Sequence, residues 1–517
     1  MQKTQKIAVN HYIQMNKNQF AILVSLFAIN LFCINSCSID TKKVEVVNEN
    51  PIVIENKKKG TLDWMIKVKY QDCNNEPGNH IYCRRKEVEA FCSETRYKAG
   101  DSLKIFISTD PASAVSLQIY RMGYYQGLGG TLVKDIGVIN CKPQPLPPID
   151  PKTNLAECKW DLAYSQIIPK DWTSGVYVGK LTTLKDSSQA YCIFIVKDNR
   201  KSDIIFQCSD LTWQAYNRWP YWNSMYDESA KPWVNTNGAS ISFDRPYALY
   251  TNELPTKFTP LSNGSGEFLI WEFPFAYWLE KEGYDISYIS NLDTHTDTSA
   301  ITRAKVFLSV AHDEYWTPQM YDNVKYARDK GVNLLFLSGN SLDGTVYLNP
   351  STDGRANRIT GRLPQREFDN EQDLMGASSY GVGYTDFVVS NGKSWVYEGT
   401  GLKTGDTIKN LVGWEYHGLP LSKNQQVEIL AQNAIKPNVF TAKNAPDHAC
   451  TIYTLPKGNF VFNAGTCWWP LAHAFPPGAQ NPTENQNEKM TRTIDFSAPN
   501  EKVQQITRNL LKKAIRK

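Results

Sequence analysis

The sequence predicts an α/β plus all-β chain. An all-β sandwich over residues 61–198 precedes an α/β unit over residues 199–517 with a mainly parallel sheet. Three observations predict this. At 517 residues the chain exceeds one ordinary domain. Up to about residue 198, short alternating or apolar runs are separated by turn signals, and helical spacing is hard to find. Beyond residue 200, apolar strands alternate with helical patterns, which implies parallel strands covered on both faces. Apolar residues make up 41% and charged residues 21%, as in ordinary globular proteins. A formal charge of +4 with no Lys/Arg block argues against a nucleic-acid partner.

Residues 1–37 read as a lipoprotein signal peptide. Lys17 precedes an apolar run from Phe20 to Ile34, too short for a spanning helix, and Ser36 precedes a lipid-accepting Cys37. The expectation is an exported bacterial lipoprotein held to a membrane by its lipid, facing the periplasm or the cell surface. Residues 38–60 are polar and aperiodic and read as a flexible tether. Export favours disulfides, and Cys141 and Cys158, which bracket a Pro-rich loop, are the best candidate pair. No CxxC spacing occurs, which argues against zinc or iron–sulfur binding.

In the first unit, Ser102–Ser108, Val115–Arg121, Gly175–Leu181 and Ala190–Val196 read as strands. The Gly- and Tyr-rich stretch from Arg121 to Gly130 is not a nucleotide loop, since no βαβ pattern surrounds it; it reads as a loop packing on the next unit. In the second unit, Asp203–Cys208 is a buried-type strand leading into Ser209–Asn217. An aromatic helix spans about Glu267–Glu282, a strand covers Ile286–Ile289, and the last helix runs from Val503 to Ala514. The most informative stretch is Lys305-Val306-Phe307-Leu308-Ser309-Val310-Ala311-His312-Asp313-Glu314-Tyr315-Trp316-Thr317-Pro318. Thr317 suits an N-cap and Pro318 the first helical position, and Gly331 stops the helix before a second strand, Val332–Ser338. Titratable groups thus sit at the carboxyl end of a βαβ strand, where open parallel sheets build their sites.

Several segments, in order, resemble the large (β) subunit of N,N-dimethylformamidase and its relatives. They are Tyr120–Tyr125, Thr212–Asn217, Ser242–Tyr247, Trp278–Asp285, His312–Trp316, Ser338–Asn340, Gly413–Tyr416 and Asn463–Thr466. The resemblance runs from about residue 100 to 475. It implies a β-sandwich joined to a class I glutamine-amidotransferase-like α/β domain. It also implies a mononuclear iron, held by two tyrosines and one glutamate, that hydrolyses a linear amide C–N bond. Glu314 matches the family's carboxylate ligand, and hard ferric iron suits anionic oxygen donors. An acid there would also be welcome near the helix that Thr317 caps. Tyr216 lies just past a strand's carboxyl end and is the first tyrosine candidate, with a packing role as the alternative. Tyr247 fits the Arg-Pro-Tyr piece as the second, with Tyr226 and Tyr250 competing.

His312 precedes Glu314 by two residues. In extended backbone both side chains point the same way, so His312 could orient substrate or act as general acid/base; the alternative is a hydrogen-bonded core histidine. Glu415 is a candidate acid beside the metal, against a solvated loop residue. Glutaminase chemistry is excluded, since Leu337–Ser341 offers no nucleophilic Cys, and no Gly-x-Ser-x-Gly turn exists. The sequence therefore predicts an iron-dependent hydrolase of a small-molecule amide, with a homo-oligomer or a small partner subunit both open. A second reading is a surface lipoprotein that binds or helps process glycans through Trp213, Tyr216, Trp219, Tyr221, Trp222, Tyr226 and Trp233. Packing between the two units is the preferred explanation of those rings.

Overall fold

Residues 49–67, 84, 86–221, 223–227, 239–248, 260–363, 371–421, 426–437, 444–479 and 499–516 are described by a computed structural model. Eight strands build the first unit: β1 Glu89–Cys92, β2 Arg96–Tyr97, β3 Ser102–Ser108, β4 Ser113–Met122, β5 Gly130–Cys141, β6 Leu162–Ile167, β7 Gly175–Thr183 and β8 Gln189–Val196. They form a three-stranded sheet, β1-β3-β6, and a five-stranded sheet, β2-β8-β7-β4-β5. Side chains from both sheets share one core, with Leu103, Ile105 and Ile107 facing Leu117, Tyr177, Leu181, Cys192 and Phe194. The opposite face of the five-stranded sheet is also covered. Tyr120, Val176, Val178, Tyr191, Ile193 and Ile195 pack with Phe206, Phe273 and Phe275 of the second unit. Burial on both faces explains why β8 reads as a continuous apolar run rather than an alternating one.

The second unit is built on a seven-stranded sheet. Its strands are β9 Ile204–Cys208, β10 Ile286–Ser290, β11 Val306–Ala311, β12 Asn333–Ser338, β14 Glu428–Asn433, β15 His448–Thr454 and β16 Phe460–Asn463, in the order β10-β9-β11-β12-β16-β15-β14. Strands β10 through β16 in that order pair in parallel, and β15 and β14 add an antiparallel edge. A separate short strand, β13 Glu415–Gly418, pairs with Ser378–Val382. The α/β and all-β parts are both present, and residues 50–517 form one compact unit. The buried Arg121 of β4 joins them through a two-pronged ion pair to Glu280 of the aromatic helix, at 2.8 and 3.1 Å.

Three expectations change. Residues 50–60, read as part of the tether, carry a short helix, α1 Pro51–Glu55, capped by Asn50. Ile52 is buried, and Asn56 bonds Glu280 and the backbone of Tyr124 and Tyr125. Side-chain anchoring of this kind has no periodic sequence signal. Cys141 and Cys158 are free thiols: Cys158 is packed with Phe91, Trp160 and Trp219, whereas Cys141 ends β5 among other side chains. The aromatic helix opens with a π-turn, Phe268–Glu272, before α3 Phe273–Lys281. Cys37 and residues 1–48 lie outside the described residues.

A candidate metal centre at the rim of the parallel sheet

Strand β11 is buried throughout and ends at Ala311, whose φ of 58° is uncommon for a residue with a Cβ. That turn swings His312, Asp313 and Glu314 off the end of the sheet. Asp313 points into the structure, accepting from Gln207, Ser309 and Asn291 at 2.7, 2.8 and 3.2 Å, and so ties three segments together. Thr317 then caps the next helix, α4 Pro318–Lys330, by accepting from Met320 N–H, and Gly331 closes it at φ 111°. The motif loop is fastened to α2 Asp210–Tyr216, since the Thr212 hydroxyl accepts from the backbone N–H groups of Glu314 and Tyr315. One turn beyond Thr212, α2 presents Tyr216.

The oxygen atoms meet at Glu314. Its Oε2 accepts from the Tyr216 hydroxyl at 2.5 Å, and its Oε1 from the Tyr226 hydroxyl at 3.1 Å. The two phenol oxygens are 2.9 Å apart, and their rings stack at 4.9 Å. Tyr226 also shares a hydrogen bond with Tyr315. The Arg362 guanidinium covers the rings of Tyr226 and Tyr315, at 5.6 and 5.7 Å. Tyr226 is delivered by a loop, positioned where Met225 N–H bonds Ala215 C=O and where Arg218 pairs with Asp227. Tyr247 lies elsewhere: its ring packs on Trp213. The second phenol beside Glu314 is therefore Tyr226 rather than Tyr247; Tyr250 lies outside the described residues. The separating contact, Met225 to Ala215, is tertiary and leaves no local sequence pattern.

His312 stands on the other side of Glu314. Its Nδ1 meets Glu267 Oε2 at 3.0 Å, and its Nε2 lies 3.6 Å from Glu314 Oε2 and 3.1 Å from Glu415 Oε2. Despite that closeness, neither His312 Nε2 nor Glu415 Oε2 is aligned in a hydrogen bond, although both are shielded from solvent. Glu267 precedes the π-turn, a distortion often found at functional sites, and sequence reasoning missed it. Glu415 starts β13 just after Trp414, at φ 65°, and its carbonyl accepts from Cys467 N–H. A Cβ at Gly339 would stand 2.1 Å from that carbonyl, so only glycine permits the approach. Ala311, Asn340 and Trp414 all adopt positive φ at loops around this cluster. Strained non-glycine backbone gathered in this way marks functional sites.

Charge follows from burial. Burial, and next the Glu314 carboxylate, push the Tyr216 and Tyr226 phenols well above 10, so both are protonated without a cation. Burial lowers the His312 imidazole, but Glu267 and Glu415 override it and hold the ring well above its usual range. For Glu314, burial acts upward and is outweighed by His312 and Tyr216, so the carboxyl is lowered. Glu415 is pushed up to about 7 by burial, against the pull of His312.

Two donor sets share Glu314. Coordinating atoms of His312, Glu314 and Glu415 lie within 4.8 Å of one another and could hold a metal ion. The oxygens of Tyr216, Tyr226 and Glu314 are closer, at 2.5–3.1 Å, the spacing of neighbouring donors around one ion with bonds of about 2 Å. The chemistry of the oxygen set suits a hard cation, and an ion held there would have His312 and Glu415 as neighbours.

Residues 116–484 match the sequence profile of the family described as N,N-dimethylformamidase beta subunit-like, C-terminal. This chain belongs to that family. The dimethylformamidase-like match supports hydrolase character. No curated protein matches the chain. Among solved structures it is similar to a family 123 glycoside hydrolase from Clostridium perfringens, at 10% identity over 49% of this chain and 72% of that one, with a TM-score of 0.11. A likeness so slight carries no argument. Of the rings considered for sugar stacking in this dimethylformamidase-like chain, Trp213, Tyr216 and Trp219 are buried and Tyr221 is exposed; Trp222 and Trp233 lie outside the described residues.

Proposed function

We propose that this protein is an iron-dependent hydrolase of a small amide, with Tyr216, Tyr226 and Glu314 holding one ferric ion. The observation that carries this reading is the meeting of two phenol oxygens and a carboxylate, Tyr216 and Glu314 buried and Tyr226 half-buried, from α2, a loop and the end of β11. When bound, such an ion polarises the amide carbonyl and acidifies a water. The chain's own residues handle the protons. Glu415 accepts a proton from the attacking water and returns it to the departing amine nitrogen; a carboxyl near 7 suits both steps. Glu267 fixes the His312 ring through Nδ1, so that Nε2 faces Glu415 and Glu314. Iron content and visible absorption of wild type and Glu314→Gln test the assignment. About one iron per chain and a phenolate-to-iron band, both lost in a folded Glu314→Gln protein, support it. Equal iron in both proteins contradicts it.

The same reading takes residues 61–198 as the β-sandwich and residues 199–517 as the class I glutamine-amidotransferase-like domain. The β10-β9-β11-β12-β16 parallel core supports this. An experimental structure with a different strand order would overturn it. It also takes the chain as an exported lipoprotein anchored at Cys37, supported by the Leu31–Cys37 sequence. Membrane association that persists in Cys37→Ser would contradict that part.

A further inference from the structure

Away from the metal centre, two buried cysteines meet where the chain changes sheets. Cys92 is the last residue of β1 in the three-stranded sheet. Three residues later the chain has crossed over: Ile195 N–H bonds Thr95 C=O, and β2 pairs in parallel with β8, Arg96 beside Ile195 and Tyr97 beside Val196. Strand β1 itself packs against β8, which carries Cys192 midway along its length. Both side chains belong to the same inter-sheet core, at 6% and 1% exposure. Gly179, opposite Cys192 on β7, has no side chain, and a Cβ there would stand 2.7 Å from Cys192 Sγ. The space that the Cys192 sulfur needs on the core face is thus kept clear. Both are free thiols in this structure and near neighbours, and burial, followed by Cys192, raises the Cys92 thiol. Neither therefore serves as an exposed reactive thiol.

We propose that Cys92 and Cys192 are a disulfide site that staples the two sheets when the chain folds in an oxidising compartment. The oxidant is a thiol–disulfide exchange partner carrying its own disulfide. One cysteine thiolate attacks that disulfide, forming a mixed disulfide and releasing one partner thiolate. The second cysteine thiolate then displaces the other partner sulfur. One Cys92–Cys192 bond forms and one partner disulfide breaks. The cysteines lose two electrons and two protons, and the partner ends as two thiols. Because both sulfurs are shielded in the finished core, the exchange occurs during folding, before the sheets close.

The experiment uses the full chain exported to the periplasm of a bacterial host, folded there, then lysed in denaturant with N-ethylmaleimide so that buried free thiols are also blocked. The protein is then digested without reduction and its peptides are analysed by mass spectrometry. The expected result is a linked peptide pair containing Cys92 and Cys192, 2 Da lighter than the sum of its parts and released by reductant. Reductant should also lower the melting temperature of the exported protein, whereas a Cys92→Ala/Cys192→Ala protein should show no such shift. Maleimide on both Cys92 and Cys192 in exported, folded protein would overturn the proposal. So would a bridge that joins either cysteine to another partner.

Discussion

Replacing Tyr226 by Phe removes one oxygen from the metal cluster and keeps the ring that stacks on Tyr216. The lost hydroxyl meets three partners: Tyr216 at 2.9 Å, Glu314 at 3.1 Å and Tyr315. Without it, Glu314 Oε1 and the Tyr315 hydroxyl are each short of a partner. At about 1–3 kcal/mol for each buried group left unsatisfied, the metal-free protein should lose roughly 2–6 kcal/mol. The effect on iron should be larger in relative terms. Removing a hydrogen-bond partner of a metal ligand costs roughly 10–100-fold in affinity, so removing a ligand should cost roughly 100-fold or more. Tyr247→Phe is the paired control, since its ring sits on Trp213, away from Glu314. Iron binding, measured by competition with a chelator of known affinity, should collapse in Tyr226→Phe and stay at the wild-type level in Tyr247→Phe. Retained iron in Tyr226→Phe, with loss in Tyr247→Phe, would refute the geometric assignment and restore the one that sequence alone suggested.

The remaining predictions concern proton transfer and the joint between sheets. Glu415 must be ionised to take a proton from water, and its carboxyl is raised to about 7. Amide hydrolysis should therefore rise with pH up to about 7 and level off above it, and Glu415→Gln should abolish that limb. The stability sign is opposite. A carboxyl raised on folding contributes fully below its unfolded value near 4.5 and loses that contribution as pH rises through about 7. Metal-free wild type should therefore lose stability relative to Glu415→Gln across that interval in thermal melts, and parallel curves would contradict the buried placement. Arg121→Met removes one half of a fully buried ion pair and leaves Glu280 with Asn56 and Tyr288. Denaturant unfolding should show a loss of about 3–5 kcal/mol; a loss below about 1 kcal/mol would mean that the pair does not join the two sheets.

The βαβ unit was legible because its signals are local. Apolar runs define β11 and β12, Thr317 and Pro318 open the helix between them, and Gly331 ends it. His312 and Glu314 do line one cluster, but the chain turns at Ala311 and bends at His312, so an extended segment is not what brings them together. Tyr226 and Glu267 were not legible in the same way. Tyr226 is carried by a loop whose position depends on a backbone bond to Ala215 and on the Arg218–Asp227 pair. Glu267 reaches His312 because the helix after it opens with a wider turn, which an apolar pattern does not distinguish from an ordinary one. The cysteines failed for a related reason. Cys141 and Cys158 bracket a loop in sequence, but which thiols come near each other is decided by strand packing, which leaves these two apart in different cores.

X-ray absorption at the iron edge of the purified protein tests the central claim most directly, because it reads the atoms bound to the metal. The account predicts a first shell of oxygen scatterers at about 2 Å, with no sulfur. A sulfur scatterer, or a shell dominated by imidazole nitrogen, would contradict it.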